Sequence, residues 1–289
     1  MLRSLITKVL GDRRRRSLKA TLAKVRGRYI RTFLAYDGVR LRSELTEAGI
    51  RDSDTLLVHI NYEADSGFRG SPSDLVEALV GLVGERGNLL MVSIPFQGSA
   101  YDYLDRGKVF DVRKTISMMG LVTEMFRRRE GTRRSLHPTH PVLAVGKDAE
   151  WIVADHDGCD SACGTGTPFD KFRQLHGKIL FFDVGFGAIT FFHHTEDQLK
   201  DRVPFAIYDE RRFDVRVKDW NGVEKVVHTT TFSRSLKRAA HKLEAEMTRQ
   251  GKIRAGRLGN SRYLLVNAED AFACHAAMVD AGNYPYDLS

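Results

Sequence analysis

The stretch that decides the fold class is "TLLVHI" (55–60), followed by "SPSDLVEALVGLVGERG" (71–87) and "NLLMVSI" (88–94). The first and last of these segments are short apolar runs of the kind that form buried strands. The middle segment opens with Ser71-Pro72, a helix-start signal, and its apolar residues recur with helical spacing. A strand–helix–strand unit favours parallel strands that are covered on both faces. We therefore expect an α/β fold with a mixed, largely parallel central sheet flanked by helices.

The rest of the chain extends this pattern. We expect helices over residues 115–129, 168–175 and 233–251, and strands over 140–146 and 177–187. Near the C-terminus, "RFDVRVKD" and "EKVVHTTTF" flank "WNGV", and Asn-Gly between two such runs is a strong hairpin signal. The sequence thus predicts one α/β domain over residues 35–289, with a hairpin in its C-terminal part.

The positive charge of the chain is concentrated at its N-terminus. Residues 1–34 contain eleven Lys/Arg and one acidic residue, which gives this segment a net charge of +10. Because the whole chain carries +8, the remainder carries −2. Leu2, Leu5, Ile6, Val9 and Leu10 fall on one helical face. We expect a basic amphipathic helical arm over 1–34. Such a helix either contacts an anionic membrane surface or an acidic partner, or packs on the body through its apolar stripe. The nearly neutral body does not favour nucleic-acid binding.

Cysteine usage and hydropathy indicate a cytoplasmic protein. Cys159, Cys163 and Cys274 are too few for a disulfide framework. No apolar run approaches the roughly 18 residues of a membrane span, and no secretory signal pattern begins the chain. The basic arm adds the alternative of peripheral attachment at the inner membrane face.

One stretch, "VGFGAITFFHHTED" (184–197), has the spacing of a catalytic pair. If a helix begins near residue 190, His193 and Glu196 are neighbours at i and i+3. A carboxylate beside an imidazole fixes its tautomer and stabilises its protonated form, which suits a general base. The same residues are also compatible with an ordinary helix start, where glutamate is favoured in the first turn. Spacing alone leaves both interpretations open.

A second stretch, "HDGCDSACGTGTPFDKF" (156–172), offers two interpretations. His156, Cys159 and Cys163 are metal-ligand types, but a fourth ligand at normal spacing is missing, so we expect no metal. The alternative is a glycine-rich loop before a helix, whose free N–H groups face a phosphate or a carbonyl.

Several stretches taken in order resemble the aminoglycoside 3-N-acetyltransferases, an antibiotic-acetylating family. They are "LLVHINYEADSGFRGSPSDLVEAL" (56–79), "MGLVTEMFR" (119–127), "RRSLHPTHPVLAVGKDAEWI" (133–152), "CGTGTPFDKF" (163–172), "GKILFFDVGFGAITFFHHTE" (177–196) and "GKIRAGRLGNSRYLL" (251–265). The resemblance covers about residues 40–280, and it rests on the order of the stretches as much as on their content.

The resemblance implies acetyl transfer from acetyl-CoA to an amine of a small sugar-like acceptor. It assigns His193 as the base and Glu196 as the acid that orients it, with direct transfer and no acyl-enzyme. It places the CoA channel along Asn61, Tyr62, Met119, Gly120, Ser135, His137 and Pro138. By charge alone, Arg134 and Lys171 suit the CoA phosphates, and Asp197 and Asp201 suit a cationic acceptor. The family resemblance is compatible with a homodimer.

The sequence also departs from the family's pattern. Ile60 and Asn61 stand where the family has two small hydroxyl residues, and Pro141 takes the serine position of its HPxxS motif. Thr167 replaces a serine but keeps the hydroxyl. These departures keep two alternatives open: a catalytically degenerate binding or scaffold member, and an acyltransferase acting on a nucleotide- or lipid-linked sugar in glycan biosynthesis.

Overall fold

The computed structural model describes residues 12–63, 65–159 and 161–287. The predicted stripe from Leu2 to Leu10 lies outside these residues. The helices are α1 (Asp12–Phe33), α2 (Gly38–Glu47), α3 (Pro72–Val83), α4 (Ala100–Asp105), α5 (Leu121–Arg128), α6 (Ala149–Val153), α7 (Pro168–Gln174), α8 (Phe192–Gln198), α9 (Ala240–Arg249) and α10 (Ala268–Asp280). The strands are β1 (Thr55–Ile60), β2 (Asn88–Val92), β3 (Phe110–Asp111), β4 (Arg133–Arg134), β5 (Val142–Gly146), β6 (Lys178–Phe182), β7 (Tyr208–Lys218), β8 (Glu224–Phe232), β9 (Lys237–Arg238), β10 (Arg254–Leu258), β11 (Ser261–Asn267) and β12 (Tyr286–Asp287).

The central sheet has seven strands in the order β10-β11-β6-β1-β2-β5-β4. Strand β1 pairs in parallel with both β2 and β6, as the opening stretch predicts. The four outer pairings are antiparallel. The mixed α/β class is confirmed, but the parallel part is confined to the three central strands. The hydrophobic pattern of a segment identifies a strand but does not give its direction in the sheet. The Ser93 N–H, just after β2, donates to the Pro141 carbonyl, so β5 begins beside the end of β2 and runs antiparallel to it.

Two apolar cores cover the two faces of this sheet. Every residue of β1 is buried, and successive side chains point to opposite faces. Leu57 joins one core, against α7, α8 and α10, while Leu56 and Val58 join the other, against α2, α3 and α5. Burial on both faces explains why the run 55–60 is almost continuously apolar.

The predicted C-terminal hairpin is confirmed. Strands β7 and β8 pair from Tyr208–Phe232 to Lys218–Glu224, and β3 adds in parallel to give a separate three-stranded sheet. The turn contains Gly222 at φ 81°, a left-handed conformation that glycine adopts at little cost. A third apolar cluster lies between this sheet and the body, around Phe110, Val215 and Val217.

Two predicted helices begin later than expected. The segment 115–129 is helical only from Leu121, because Gly120 adopts a φ of 102° and residues before it form a loop. The segment 233–251 is helical only from Ala240, since Lys237 and Arg238 form the short strand β9 beside β12. Both non-helical pieces contribute to the site described below.

Helix α1 confirms the helical character of the described part of the arm. Ile30 is buried, and Arg26 forms an ion pair with Asp65 at 3.2 Å. Just after the arm, the Tyr36 N–H donates to the carbonyl of Gly67. Gly67 also packs closely on the end of the arm, because a Cβ atom added to Gly67 would lie 2.7 Å from the Leu34 carbonyl oxygen. The arm is therefore fixed to the loop that follows β1. No helix among the described residues is long and apolar enough to cross a bilayer.

Candidate active site

The pair His193 and Glu196 lies on α8, which follows β6 through a glycine-containing loop. Since β6, β1 and β2 are parallel, their carboxyl ends meet at one edge of the sheet. Ligands of open α/β sheets bind at this edge. The order of elements thus positions α8 where a substrate site is expected.

His193 and Glu196 are in direct contact. The Nδ1 atom of His193 lies 2.6 Å from Oε1 of Glu196. The imidazole is 23% exposed, whereas the carboxylate is fully buried. A carboxylate only accepts, so Nδ1 must carry the proton, and this leaves Nε2 as the basic atom of the neutral ring.

Two further groups hold Glu196. Arg238 Nε lies 2.8 and 3.1 Å from its two oxygens, and the Tyr286 hydroxyl donates to Oε2 at 3.1 Å. Burial raises the pKa of Glu196, but the hydrogen bond from His193 and the charges of His193 and Arg238 outweigh it, so the pKa lies below its usual value. The carboxylate is therefore ionised, and it is rigidly held by residues from the C-terminal part of the chain.

Aromatic rings fix the plane of His193. Its ring stacks on Phe232 with centroids 4.2 Å apart, and His140 meets it edge-on at 5.5 Å. Phe232 in turn stacks on Tyr208 at 5.0 Å. The contact that the spacing of residues 193 and 196 predicts is thus present: an oriented, partly exposed imidazole beside a buried carboxylate. Its role as a general base stays a prediction.

A mainly apolar cleft of about 340 Å³ opens at the same edge of the sheet. It is lined by Val58, His59, Ile60, Asn61, Val92, Met118, Met119, Gly120, Thr123, Val184 and Ala188. Three residues predicted for CoA, Asn61, Met119 and Gly120, therefore meet in one cleft. Tyr62 lies just beyond it and donates to the Gly70 carbonyl at 3.3 Å.

His59 is a cleft residue that sequence reasoning missed. Its ring stacks on Phe181 at 5.3 Å, and burial lowers its pKa to about 4. Within the described part of the chain, its buried Nε2 atom has no hydrogen-bond partner. An unpartnered polar atom in a cleft marks a place where a ligand or water atom would bind.

Arg134, which we predict to contact the CoA phosphates, is engaged by protein groups in this structure. Its guanidinium is 1% exposed, donates to the carbonyls of Thr115 and Ser93 at 2.6 and 2.8 Å, and lies over the Phe110 ring. Lys171 is likewise buried, and its ammonium donates to two backbone carbonyls. Both cations donate hydrogen bonds to backbone carbonyls of the protein, so neither is available to a phosphate in this structure.

Ser135, His137 and Pro138 are also buried rather than exposed in a channel. Ser135 Oγ lies 2.8 Å from His156 Nδ1, and the His137 ring stacks on that of His156 at 4.6 Å. The "HPTHP" loop thus forms an internal polar network that supports His140 behind His193. The predicted contact of these residues with CoA stays a prediction.

Among the residues predicted for the acceptor, the structure separates Asp197 from Asp201. Asp197 lines a second cavity of about 390 Å³ with Ser161, Thr165, Lys200, Tyr208, Arg212 and Thr230. Its carboxylate accepts from Ser161 and from Tyr208, whose ring joins the stack on Phe232. Asp201 is exposed and does not line this cavity.

The cysteine-containing loop is occupied by protein contacts. His156 Nε2 lies 2.9 Å from the Ala162 carbonyl, so both of its ring nitrogens have protein partners. Cys163 is fully buried, and burial raises the pKa of its thiol well above the usual value. Over residues 12–63, 65–159 and 161–287, no group of three or more potential ligands could hold a metal ion.

The site combines an imidazole oriented by a buried carboxylate with an apolar cleft at the same carboxyl edge of the sheet, and His193 is not one of the residues that line this cleft. These features define an α/β protein with a candidate acid–base pair. Solved structures share the fold: AAC(3)-Xa superposes with a TM-score of 0.77 at 22% identity, over 90% of this chain and 99% of that one. AAC-IIIb, solved as a binary complex with CoASH, gives 0.74 at 23% identity, over 88% and 99%.

The family follows from the sequence comparisons. The family model for aminoglycoside 3-N-acetyltransferase matches residues 57–280. The chain belongs to this family of acyltransferases. Aminoglycoside N(3)-acetyltransferase VII of Streptomyces paromomycinus is 30% identical over 170 residues, and enzyme IX of Micromonospora chalcea is 24% identical over 253 residues. The first match covers 54% of this chain and 59% of the relative's length, and the second covers 81% and 89%.

Proposed function

We propose that this protein is an acetyl-CoA-dependent N-acetyltransferase that acts on an amino group of an aminoglycoside or a related amino sugar. The observation that carries the proposal is the His193–Glu196 pair at the sheet edge where the cleft of about 340 Å³ opens, in a chain of this family. The names of its relatives and the CoASH complex of AAC-IIIb support the choice of substrates.

In the proposed reaction, Nε2 of His193 takes a proton from the acceptor amine as its nitrogen attacks the thioester carbonyl. The C–N bond forms, the C–S bond breaks, and His193 returns the proton to the departing thiolate. Glu196 stabilises the imidazolium that forms between these two transfers. The cleft at Asn61, Met119 and Gly120 holds the pantetheine arm, and backbone N–H groups stabilise the oxyanion. Because Cys163 is buried and neutral, direct transfer is favoured over an acyl-cysteine.

The test is release of free thiol from acetyl-CoA in the presence of aminoglycosides and simple amino sugars. His193→Ala should lower kcat/KM by about 10²–10⁴-fold. His228 offers a matched control, since its Nδ1 lies 2.6 Å from an Asp214 carboxylate oxygen on the exposed hairpin. His228→Ala should leave the rate unchanged. Absence of turnover with every acceptor would instead favour the degenerate binding member.

A second candidate acceptor is an amino sugar that carries an anionic group, such as a nucleotide- or lipid-linked sugar. The cavity at Asp197 favours it, because Lys200 and Arg212 also line that cavity and its one carboxylate is already engaged. A polycationic acceptor would instead be attracted by a cavity lined with carboxylates that have no partner. Comparing kcat/KM for amino sugars with and without a phosphate group, in the wild type and in Arg212→Gln, separates the two acceptor classes.

A further inference from the structure

Helix α1 exposes an apolar face to solvent. Leu22, Val25, Tyr29 and Phe33 are 59%, 62%, 55% and 68% exposed. Their spacings of three, four and four residues place them in one stripe, hereafter the α1 stripe. Ile30, on another side of the helix, is the residue that packs on the body. The α1 stripe is thus available for a partner, while the helix itself is held in place.

The segment that carries the α1 stripe is basic, although Arg26 is paired with Asp65 of the body. Residues 21–34 contain four cations, Lys24, Arg26, Arg28 and Arg31, and no acid. At about 100° per residue, Arg26 and Arg28 fall on the two flanks of the stripe. The whole segment 1–34 carries +10. A narrow apolar stripe flanked by cations is the pattern of a helix that lies in the interface of an anionic bilayer.

The size and charge of this surface disfavour a second copy as the partner. Helix α1 has 22 residues and is about 33 Å long. One face of it, about 10 Å wide, therefore offers about 330 Å², well below the roughly 800 Å² per partner of a stable interface. A two-fold contact would also bring the same cations of both copies together. Nucleic acid would use the cations, but it would leave the apolar stripe unexplained.

We propose that α1 binds the surface of a bilayer that contains anionic lipid, with the α1 stripe inserted at the headgroup level. The attachment would also position the site. Arg26 and Tyr36 fix the arm to the loop after β1, and that loop begins at Asn61 in the cleft. A membrane-bound helix therefore holds the carboxyl edge of the sheet near the lipid surface. This inference does not depend on the proposed acetyl transfer.

The test is sedimentation of the full chain with vesicles of phosphatidylcholine, alone or with about 30% phosphatidylglycerol. We expect binding to the anionic vesicles that weakens between about 0.1 and 0.5 M salt. Arg28→Gln removes a cation on the flank of the stripe and should weaken binding about fivefold. Arg31→Gln removes a cation from the side of α1 opposite the stripe, and Arg106→Gln removes an exposed cation of the body. Both are charge controls and should leave binding nearly unchanged.

A second pair of variants tests insertion. Val25→Gln with Phe33→Gln removes two stripe residues and keeps good helix propensity, and it should weaken vesicle binding at least tenfold. Val39→Gln with Val226→Gln removes two residues that are 68% and 52% exposed outside the stripe, and it should leave binding unchanged. Circular dichroism checks that all variants are folded.

Three results would overturn the proposal. One is vesicle binding that the stripe variant does not weaken. Another is absence of vesicle binding together with a dimer that the stripe variant dissociates, which would assign the face to a second copy. The last is salt-dependent binding to nucleic acid, without vesicle binding, that the stripe variant leaves intact.

Discussion

Replacing Glu196 by glutamine isolates the electrostatic part of the proposed mechanism, because the side chain keeps its shape and loses its charge. The carboxylate accepts a 2.6 Å hydrogen bond from His193, and it is fully buried. A hydrogen bond to a charged group contributes about 1.5–3 kcal/mol. At a charge separation of about 4 Å and an effective dielectric constant of about 20, the attraction between carboxylate and imidazolium is about 4 kcal/mol.

Arg238 shares the carboxylate, which reduces the part that acts on His193 alone. We therefore expect Glu196→Gln to lose about 2–4 kcal/mol of transition-state stabilisation, or about 30- to 1000-fold in kcat/KM. The assay is steady-state thiol release from acetyl-CoA. The KM for acetyl-CoA should change little, because Glu196 does not line the cleft. A loss of less than about threefold would refute the assignment of Glu196 as the partner of the base.

Two controls separate chemistry from folding in this experiment. Tyr286→Phe removes one hydrogen bond from a neutral donor and leaves the charge of Glu196 and its contact with His193 in place, so it should lower kcat/KM only about three- to tenfold. Glu196→Gln leaves the Arg238 guanidinium without its counter-charge, so its thermal unfolding must be measured beside its activity. If that variant is unfolded at the assay temperature, Glu196→Asp replaces it. Aspartate keeps the charge but has a shorter side chain, so the variant tests whether the length of the side chain, and with it the hydrogen bond to His193, is needed for activity.

The remaining predictions concern residues away from this pair. Cys163→Ala should retain activity within about threefold, since the buried neutral thiol takes no part in direct transfer, and a loss above 100-fold would contradict this. Arg134→Lys should lower the thermal midpoint, because it leaves buried carbonyls unpaired, without raising the KM for acetyl-CoA. Burial lowers the pKa of His59 to about 4, so the unfolded chain takes up a proton below pH 6.5 while the folded chain stays neutral, and stability falls on acidification. Between pH 7 and 5.5, the free energy of unfolding in urea should fall by about 1.2 kcal/mol less for His59→Leu than for the wild type.

The pairing of His193 with Glu196 was predictable because it is local. Both residues lie on one short helix, and the i, i+3 spacing brings their side chains together whatever the rest of the fold does. The partners that fix the carboxylate were not predictable. Arg238 and Tyr286 follow Glu196 by 42 and 90 positions, and nothing in their local sequence marks them.

Arg134 shows why charge in a loop is a poor guide to ligand contact. The residue type suits a phosphate, and the two prolines beyond it restrain the loop. In the fold, however, the loop carbonyls of residues 93 and 115 converge on the guanidinium and are satisfied by it. An arginine in a loop can bind a ligand phosphate or hold together the backbone of the protein. Its burial and its hydrogen-bond partners decide between these roles, and both depend on loops that are far apart in sequence.

The sequence by itself determined the strand–helix–strand centre, the hairpin at Asn221-Gly222, the basic character of the arm and the contact between His193 and Glu196 on α8. Each of these depends on residue periodicity or on neighbours within a few positions, and local geometry fixes them. The tertiary structure alone decided the direction of the outer strands, the burial of Arg134, the support of Glu196 and the exposure of the α1 stripe. These properties depend on which distant segments come together, and no pattern of neighbouring residues records that.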